Sequence, residues 1–419
     1  MATTTTVAGS SNAVAALYQA AYVLSVRKAL GYSQSPFVFT PPQGVMGAGN
    51  RGSAVKIPMF HELDWGSSLS ETADVTPVTF YANLATITPE LYGQAVQLSQ
   101  KLSLTAFTDV EQAAVEMVGR NAAATREIVA RAQAIAGALV LFGGSATTRA
   151  TVKAVQTTST SLISYTNFVN AAMTLNAAGA PKIGSVAGNL SGYAAIISAE
   201  TQGDLGISSA FIIAAEYGAN EFLLNGEVGT HLTGTRLVQT PFAKVFRGAA
   251  ATVAGASGPT IDAVVPGSTV LQVSSAMGSH AIGDYMFIGS SIESTGQDDI
   301  TGCEIVRVVS GTTGSTGPYG IVGAGVNGGF MYAHPNTHIA RGDVRDVQCT
   351  VFVGSESIGM VYSNEDGLGP EGQIILPEVT GILHQFNNIG WKGFWGFGRV
   401  SENRVVRVEH GSSFQTIGH

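Results

Sequence analysis

The stretch from Thr108 to Gly144, TDVEQAAVEMVGRNAAATREIVARAQAIAGALVLFGG, sets the reading of everything around it. Thr108 and Glu111 have the spacing of a capping box, in which two side chains satisfy orphan amides of a first helical turn. Asp109 adds a negative charge where the helix dipole favours one. Helix-favouring residues then run to about Phe142, and Gly143-Gly144 marks the stop. Thirty-odd residues at 1.5 Å each predict a rod of about 48 Å. Its polar residues (Glu116, Arg120, Arg126, Glu127, Arg131, Gln133) lie mostly in the middle, and the rest is Ala, Val, Ile and Met. Such small side chains predict close packing on a sheet along the whole rod. A coiled coil fits less well, because no heptad of large a and d residues is sustained.

Upstream, SAVKIPMFHEL (53–63) and VTPVTFYANLATIT (75–88) are β-branched and aromatic with partial alternation, and the polar DWGSSLSETAD separates them. They predict a long hairpin with a loose tip. Pro58 and Pro77 cannot donate ladder hydrogen bonds, so both strands read as edges or an isolated ribbon. A two-stranded ribbon is marginal in water and predicts a neighbour beneath it. Residues 1–50 open on a Thr, Ser and Ala segment, pass through one helix (14–30) and end in turn formers; the whole reads as an extended arm.

Downstream, residues 151–200 carry only Lys153, Lys182 and Glu200 as charges. The pattern there predicts a helix at 165–177 and a strand at 193–198, followed by a helix at 208–224 and a strand-rich stretch at 231–246. Between 248 and 342 helix formers thin out, and STVLQVSS, DYMFIGSSI and CEIVRVVSGTTG read as short strands of an inserted all-β subdomain. Strands return in DVQCTVFVGSE and WKGFWGFGRVSENRVVRVEH. No period of 20 to 50 residues suggests a solenoid or propeller.

Composition limits the function. Of 419 residues, 21 are basic and 29 acidic, 12% charged in all, about half of the usual share of roughly 25%. Either Gly, Ser, Thr and Asn coat the outside, or much of the outside is buried against other chains. A hydrophobic content of 45% excludes the disordered class. A net charge of -8 with no run of Lys and Arg argues against a dedicated nucleic-acid binder. Cys303 and Cys349 have no partner motif and read as free buried thiols of a reducing compartment. The amino terminus lacks the pattern of a signal peptide, and apolar runs fall short of the roughly 20 residues that span a bilayer. A soluble intracellular product without an anchor is expected.

Motifs for chemistry do not survive inspection. Gly47 to Gly52 and Gly323 to Gly328 both spell G-x-G-x-x-G, but neither opens a helix whose free amides would meet a pyrophosphate. No phosphate loop or nucleophile elbow occurs. His334 and His338 flank a Pro-Asn turn and read as surface histidines; Asp298-Asp299 reads as a solvated turn, and so does Arg341-Gly342-Asp343. No catalytic, cofactor-binding or metal-ligating residue is expected. An enzyme whose site residues are dispersed along the sequence would escape this search.

The order of parts is arm, ribbon, long helix, nearly uncharged α/β block, β insertion and returning strands. It resembles the major capsid protein of tailed double-stranded DNA bacteriophages, with the Hong Kong 97 type fold. Three stretches carry the likeness: Tyr92-Gly93 followed by LSQKL, FLLNGEVGTHLTGTRLVQTPFAKVF (222–246) and IGWKGFWGFGRVSENRVVRVEHGSS (389–413). Together they reach over about two-thirds of the chain. The resemblance implies an α+β fold with an N-terminal arm (1–50), an extended hairpin loop (51–92), a peripheral domain with a spine helix (93–150), an axial domain (151–247), the inserted β subdomain (248–342) and return strands (343–419). It implies Trp65, Gly66, Ser67, Ser68, Leu69, Ser70 and Glu71 at the loop tip, in contact with an adjacent subunit.

The same resemblance implies a non-enzymatic subunit that assembles with its copies into hexamers and pentamers of an icosahedral shell around double-stranded DNA. Partners would be a separate scaffolding protein, since no scaffolding segment precedes the arm, together with a portal and a decoration protein. Membrane contact and base readout are not expected, and the location would be the virion capsid, assembled in the host cytoplasm. No cross-link residues are assigned. A Gly/Thr-rich extracellular surface-layer protein or adhesin is the alternative that low charge and the β insertion allow.

Overall fold

The computed structural model describes residues 19–23, 25–26, 31–33, 38–41, 45–46, 54–60, 66, 68, 77, 79, 82–105, 110–152, 161–187, 190–207, 235–246, 259–275, 282–289, 304–312, 314–323, 325–336, 339–342, 346–365, 368–375 and 386–414. The chain divides into two units, Met1–Ala134 with Ser355–Glu402, and Ile135–Gly354 with Asn403–His419.

The first unit is a sheet backed by the long helix. Strand β19 (Phe386–Arg399) is its axis. It pairs antiparallel with β5 (Glu90–Ser99) along one edge, and with β17 (Ile358–Ser363) and β18 (Gln373–Ile375) along the other. Two short strands, β1 (Val38–Phe39) and β2 (Val45–Met46), run parallel to the far edge of β17. After the helical residues 19–23 and 25–26 (α1) and Gln100–Thr105 (α2), helix α3 (Val110–Ile135) has 26 residues, about 39 Å at 1.5 Å per residue. Its predicted continuation to Phe142 does not occur. Gly137 follows closely on its last turn, and Val140–Phe142 is a strand, as its apolar and β-branched residues allow. Thr108 and Asp109 lie outside the described residues. Most buried side chains of α3 are small, as expected: Ala114, Val115, Val118, Ala122, Ala123, Ala130 and Ala134; Arg126, Glu127 and Ile135 are buried as well.

The pattern IGWKGFWGFGR explains how the two faces of β19 differ. Odd positions face α3: Trp391 Nε1 donates to Asn121 Oδ1 at 2.9 Å, Asn387 Nδ2 to Glu111 Oε1 at 3.4 Å, and Arg399 Nη1 to the Gln133 carbonyl at 3.4 Å. Trp391 and Trp395 stack at 5.5 Å, and Trp395 stacks on Tyr92 at 5.8 Å. Gly393 sits between the two tryptophans because a Cβ there would lie 1.5 Å from Trp395 Cζ3. Even positions Gly396 and Gly398 form a flat platform on the opposite face.

Part of the stretch read as an extended arm is described, and it includes some of the helix expected at 14–30. Residues 19–23 and 25–26 are helical, with Tyr22 and Val26 buried. The Tyr22 hydroxyl donates to the Glu371 carbonyl at 3.0 Å, Gln19 Oε1 accepts the Ile374 amide at 3.1 Å, and Gly119 lets the segment approach α3. Burial raises the Tyr22 phenol well above its usual range. Three side chains of this stretch, Tyr22, Val26 and Tyr32, are buried and hold it in place.

The second unit holds a seven-stranded sheet in the order β6 (Val140–Phe142), β20 (Val405–His410), β16 (Val347–Val353), β8 (Leu190–Ile197) and β7 (Ile183–Ala187). Strand β9 (Thr235–Gln239) runs parallel to β8, and β10 (Val245–Phe246) antiparallel to β16. Every residue of β16 is buried, so its sequence VQCTVFV reads as a continuous run instead of alternating. Helix α4 (Tyr165–Ala177) has the predicted bounds, and Asn167 Oδ1 accepts the Ser164 amide at 2.9 Å at its start. It packs Phe168 edge-on against Phe352, with centroids 5.0 Å apart. Helix α5 (Ala199–Ile207) follows β8. The helix expected at 208–224 lies outside the described residues.

The insertion contains a five-stranded sheet with a core of its own. Its order is β11 (Val270–Leu271), β14 (Tyr319–Val322), β13 (Glu304–Ser310), β12 (Tyr285–Gly289) and β15 (Ile339–Gly342). Leu271, Met286, Ile288, Val306, Val308, Tyr319, Ile321 and Phe330 fill one side. Arg341 and Gly342, expected in a turn, instead end strand β15 beside β12, and Asp343 lies outside the described residues. The three strands named from sequence, around Val270, Tyr285 and Glu304, are present.

Candidate assembly surface

The ribbon is anchored at its base. Strands β3 (Val55–Phe60) and β4 (Ala82–Ile87) pair antiparallel, Val55 opposite Ile87 and Phe60 opposite Ala82. Val55, Ile57 and Ile87 are buried with Val361, about 2 kcal/mol of apolar burial for each of the three at most. They sit on the glycine platform: a Cβ on Gly398 would lie 2.6 Å from Ile87 Cγ1, one on Gly359 2.8 Å from Ile87 Cδ1, and one on Gly396 2.7 Å from the Thr88 carbonyl. Lys56, Pro58, Thr86 and Leu84, the last 60% exposed, face outward. Of the tip residues named from sequence, Gly66 and Ser68 are exposed; Trp65, Ser67, Leu69, Ser70 and Glu71 lie outside the described residues.

Beyond the platform the same face of the sheet carries Leu91, 68% exposed, with Gly93, Ala95 and Gln97 of β5 and Lys392 and Phe394 of β19. Ile375 and Phe386 are also exposed. The sequence reading stopped the ribbon near Thr88 and overlooked β5. Most of its residues are exposed and only Leu98 is buried, so no clear alternation of apolar and polar marks it.

A buried carboxylate ties the amino-terminal segment to α3. Glu127 accepts the amides of Gly31 (2.9 Å), Tyr32 (2.5 Å) and Ser33 (3.1 Å), and the Ser33 hydroxyl as well. Successive amides aimed at one anion form a nest, which here replaces the water the carboxylate has lost. Arg126 beside it donates to the carbonyls of Pro370 (3.2 Å) and Ser33 (3.4 Å). A Glu in mid-helix gave no hint of this, because its partners lie 94 to 96 positions away.

The remaining polar clusters are structural in geometry. His334, read from sequence as a surface residue, is buried, and its Nε2 donates to Glu304 Oε1 at 2.7 Å. Glu304 also accepts the amides of Met331 and Tyr332, so it pins the 331–334 segment onto β13. His338 lies outside the described residues. Gly323 and Gly325 donate their amides within their own loop, to Gly328 and Gly329 carbonyls at 2.8 Å, so they have none to offer a phosphate.

In the second unit His410 Nδ1 donates to the Gly411 carbonyl at 2.8 Å, and Nε2 accepts the Thr350 hydroxyl at 2.9 Å. Burial holds this imidazole down to about 4, in its neutral form. Asp204 nearby accepts from the Ser413 amide and hydroxyl, not from the imidazole. With Thr350 and His410 fully buried, no relay of hydroxyl, base and carboxylate opens to a substrate. Arg149 makes a two-point pair with buried Glu409, at 2.6 and 2.7 Å. Cys349 is a free, buried thiol pushed up to about 12 by desolvation, which makes it inert; Cys303 lies outside the described residues. Among the described residues no three His, Cys, Asp or Glu side chains gather as a metal site requires, and no helix is long and apolar enough to cross a membrane.

Comparison of the whole fold with solved structures gives a clear answer. A chain from the capsid of Ralstonia phage GP4 superposes with a TM-score of 0.51 over 91% of both chains, at 11% sequence identity. This chain has the fold of a phage capsid protein. A chain of the cyanophage Pam1 capsid covers 91% of this chain and 92% of its own length, at 13% identity and a TM-score of 0.48. No protein-family model and no curated protein sequence matches. At these identities the likeness is visible in the fold and not in residue-by-residue identity, and the α+β class expected from the sequence stands.

Proposed function

We propose that this chain is the major capsid subunit of a tailed double-stranded DNA bacteriophage, and that its copies form the hexamers and pentamers of an icosahedral shell. The observation that carries the reading is the end-to-end match to a Ralstonia phage GP4 capsid chain. It favours this reading over a surface-layer protein or adhesin. The arm (1–50), extended loop (51–92), peripheral domain (93–150), axial domain (151–247), insertion (248–342) and return strands (343–419) take the roles that the sequence resemblance implied. The subunit is structural and not an enzyme: its buried histidines and carboxylates are occupied in holding loops and sheet together.

The physical design suits a shell. A ribbon fixed by three apolar side chains at its base carries the tip residues Trp65 to Glu71, which reach a neighbouring subunit. Lysine and arginine are sparse, which avoids desolvating ions at each of many interfaces. Individually modest contacts add up when each subunit holds several neighbours at once. A separate scaffolding protein, a portal and a decoration protein complete the set of partners, and the product resides in the virion after assembly in the host cytoplasm. Sedimentation velocity of the purified chain under assembly conditions tests this: particles far larger than a monomer are expected, and a folded chain that stays monomeric in all of them overturns it.

A further inference from the structure

We infer that Tyr92, Trp395 and Trp391 form a relay for electron holes, which moves a one-electron oxidation from the buried indoles to the Tyr92 phenol at the surface, with Glu90 taking the phenol's proton. The three rings make one stack in the first unit. Trp391 and Trp395 lie parallel within 5° with centroids 5.5 Å apart, and Tyr92 stacks on Trp395 at 5.8 Å. Tyr92 stands opposite Gly393 in the register of β5 and β19, and the missing side chain of Gly393 lets the two indoles close over it. Stacking of this kind is ordinary in a core. Packing leaves unexplained how the ring protons are placed.

Each ring donor has a different partner. Trp395 is fully buried, and its Nε1 proton meets no acceptor among the described residues. A buried donor without an acceptor is costly and calls for a reason. Trp391, 3% exposed, donates to the Asn121 amide oxygen at 2.9 Å, which accepts a hydrogen bond but is a very weak base. An indole that has lost an electron becomes acidic at this N–H; with no base in reach it keeps the proton and stays a strong oxidant. Tyr92 is placed otherwise. It is only half-buried, and its hydroxyl donates to Glu90 Oε2 at 3.1 Å, on an exposed carboxylate. Burial and the carboxylate both keep the proton on the resting phenol. A phenol that gives up an electron releases that proton at once.

Electrons and protons balance at each step. A one-electron oxidant removes an electron from an indole and leaves a radical cation, which the ring contacts share between Trp391 and Trp395. Tyr92 supplies an electron to it, the phenol proton passes to Glu90, and a neutral phenoxyl radical remains at the surface. A soluble donor such as ascorbate then gives an electron and is left as its own radical, Glu90 returns the proton, and the stack is restored. Tyr22 is the internal control. Its hydroxyl and Trp395 Cζ3 both lie 3.1 Å from where a Cβ on Gly372 would stand, but it donates to the Glu371 carbonyl, which does not take a proton. Proximity alone would oxidise Tyr22; a proton acceptor selects Tyr92.

Transient absorption on the full-length chain tests this. Trp65→Phe is made throughout, so that of three tryptophans only the two stacked ones remain. A laser pulse at the red edge of indole absorption, with pentaamminechlorocobalt(III) as irreversible electron acceptor, generates the radical cation, and the indole and phenoxyl radicals are followed in their separate absorption bands. With Tyr92 in place the phenoxyl band rises as the indole band decays, and ascorbate shortens the life of the phenoxyl. Tyr92→Phe keeps the ring stack and loses the phenoxyl band, leaving a long-lived indole radical; Tyr22→Phe changes neither band. Glu90→Gln keeps the shape and the hydrogen bond but not the base, and slows the transfer by about tenfold or more. An absent phenoxyl band with Tyr92 in place, an undiminished band in Tyr92→Phe, its loss in Tyr22→Phe, or an unchanged rate in Glu90→Gln each overturns the inference. The relay lies within one subunit, so these outcomes are independent of the shell function.

Discussion

Glu127 shows how much one side chain decides. Its carboxylate accepts three amides and a hydroxyl in a site closed to water. Glu127→Gln keeps the shape but turns one acceptor into a donor facing amide donors. We expect a loss of about 2 to 4 kcal/mol in urea unfolding, and a change below about 0.5 kcal/mol would show that the nest is dispensable. Gly393 is decided by space alone: Gly393→Ala must expel the Trp395 ring from its place beside Trp391, with an expected loss of at least about 3 kcal/mol and a changed tryptophan emission. His410 sets a pH limit. It is neutral and buried in the fold at about 4 against 6.5 when free, so its contribution is complete above 6.5 and drains away as the pH falls toward 4. The sum is about 3 kcal/mol, read as a drop in stability of the parent over that range that is absent in His410→Gln. None of these three roles was legible in sequence: Glu127 and His410 depend on partners far along the chain, and Gly393 on how the rings of its near neighbours stack. Gly393 came nearest, since a glycine between two tryptophans already asks what needs the room.

At the scale of elements the sequence spoke more clearly. Alternation and turn formers placed the β3–β4 ribbon, and the helix at 165–177 was readable from its Ala and Asn content and its closing Ala-Ala-Gly. The long helix was found but drawn too long. Val, Leu and Phe after Gly137 fit a helix and a strand equally by periodicity, and only the neighbouring β20 settles the choice. Strand β5 was missed because only Leu98 of its ten residues is buried. The ribbon itself invites a direct test. Its base is held by Val55, Ile57 and Ile87 and its tip contributes nothing described to the fold, so deletion of residues 66–72 is expected to leave the urea midpoint unchanged and to block assembly in sedimentation. Assembly at the parental rate would remove the tip from the account.

For the whole molecule, the shortage of charge is the feature that sequence alone exposed and that the proposed shell accounts for. In the first unit the uncharged residues include Leu84, Leu91, Ile375 and Phe386, which stand partly or largely in solvent. In the second, Met173 on α4 is 63% exposed and Ile207 on α5 67%. In the proposed shell such side chains are the ones that copies of the chain would cover. The most direct measurement is an electron micrograph of the purified full-length chain, taken after incubation under assembly conditions. The account predicts rings or closed shells of uniform diameter; a field of single, folded subunits under every condition tried would contradict it.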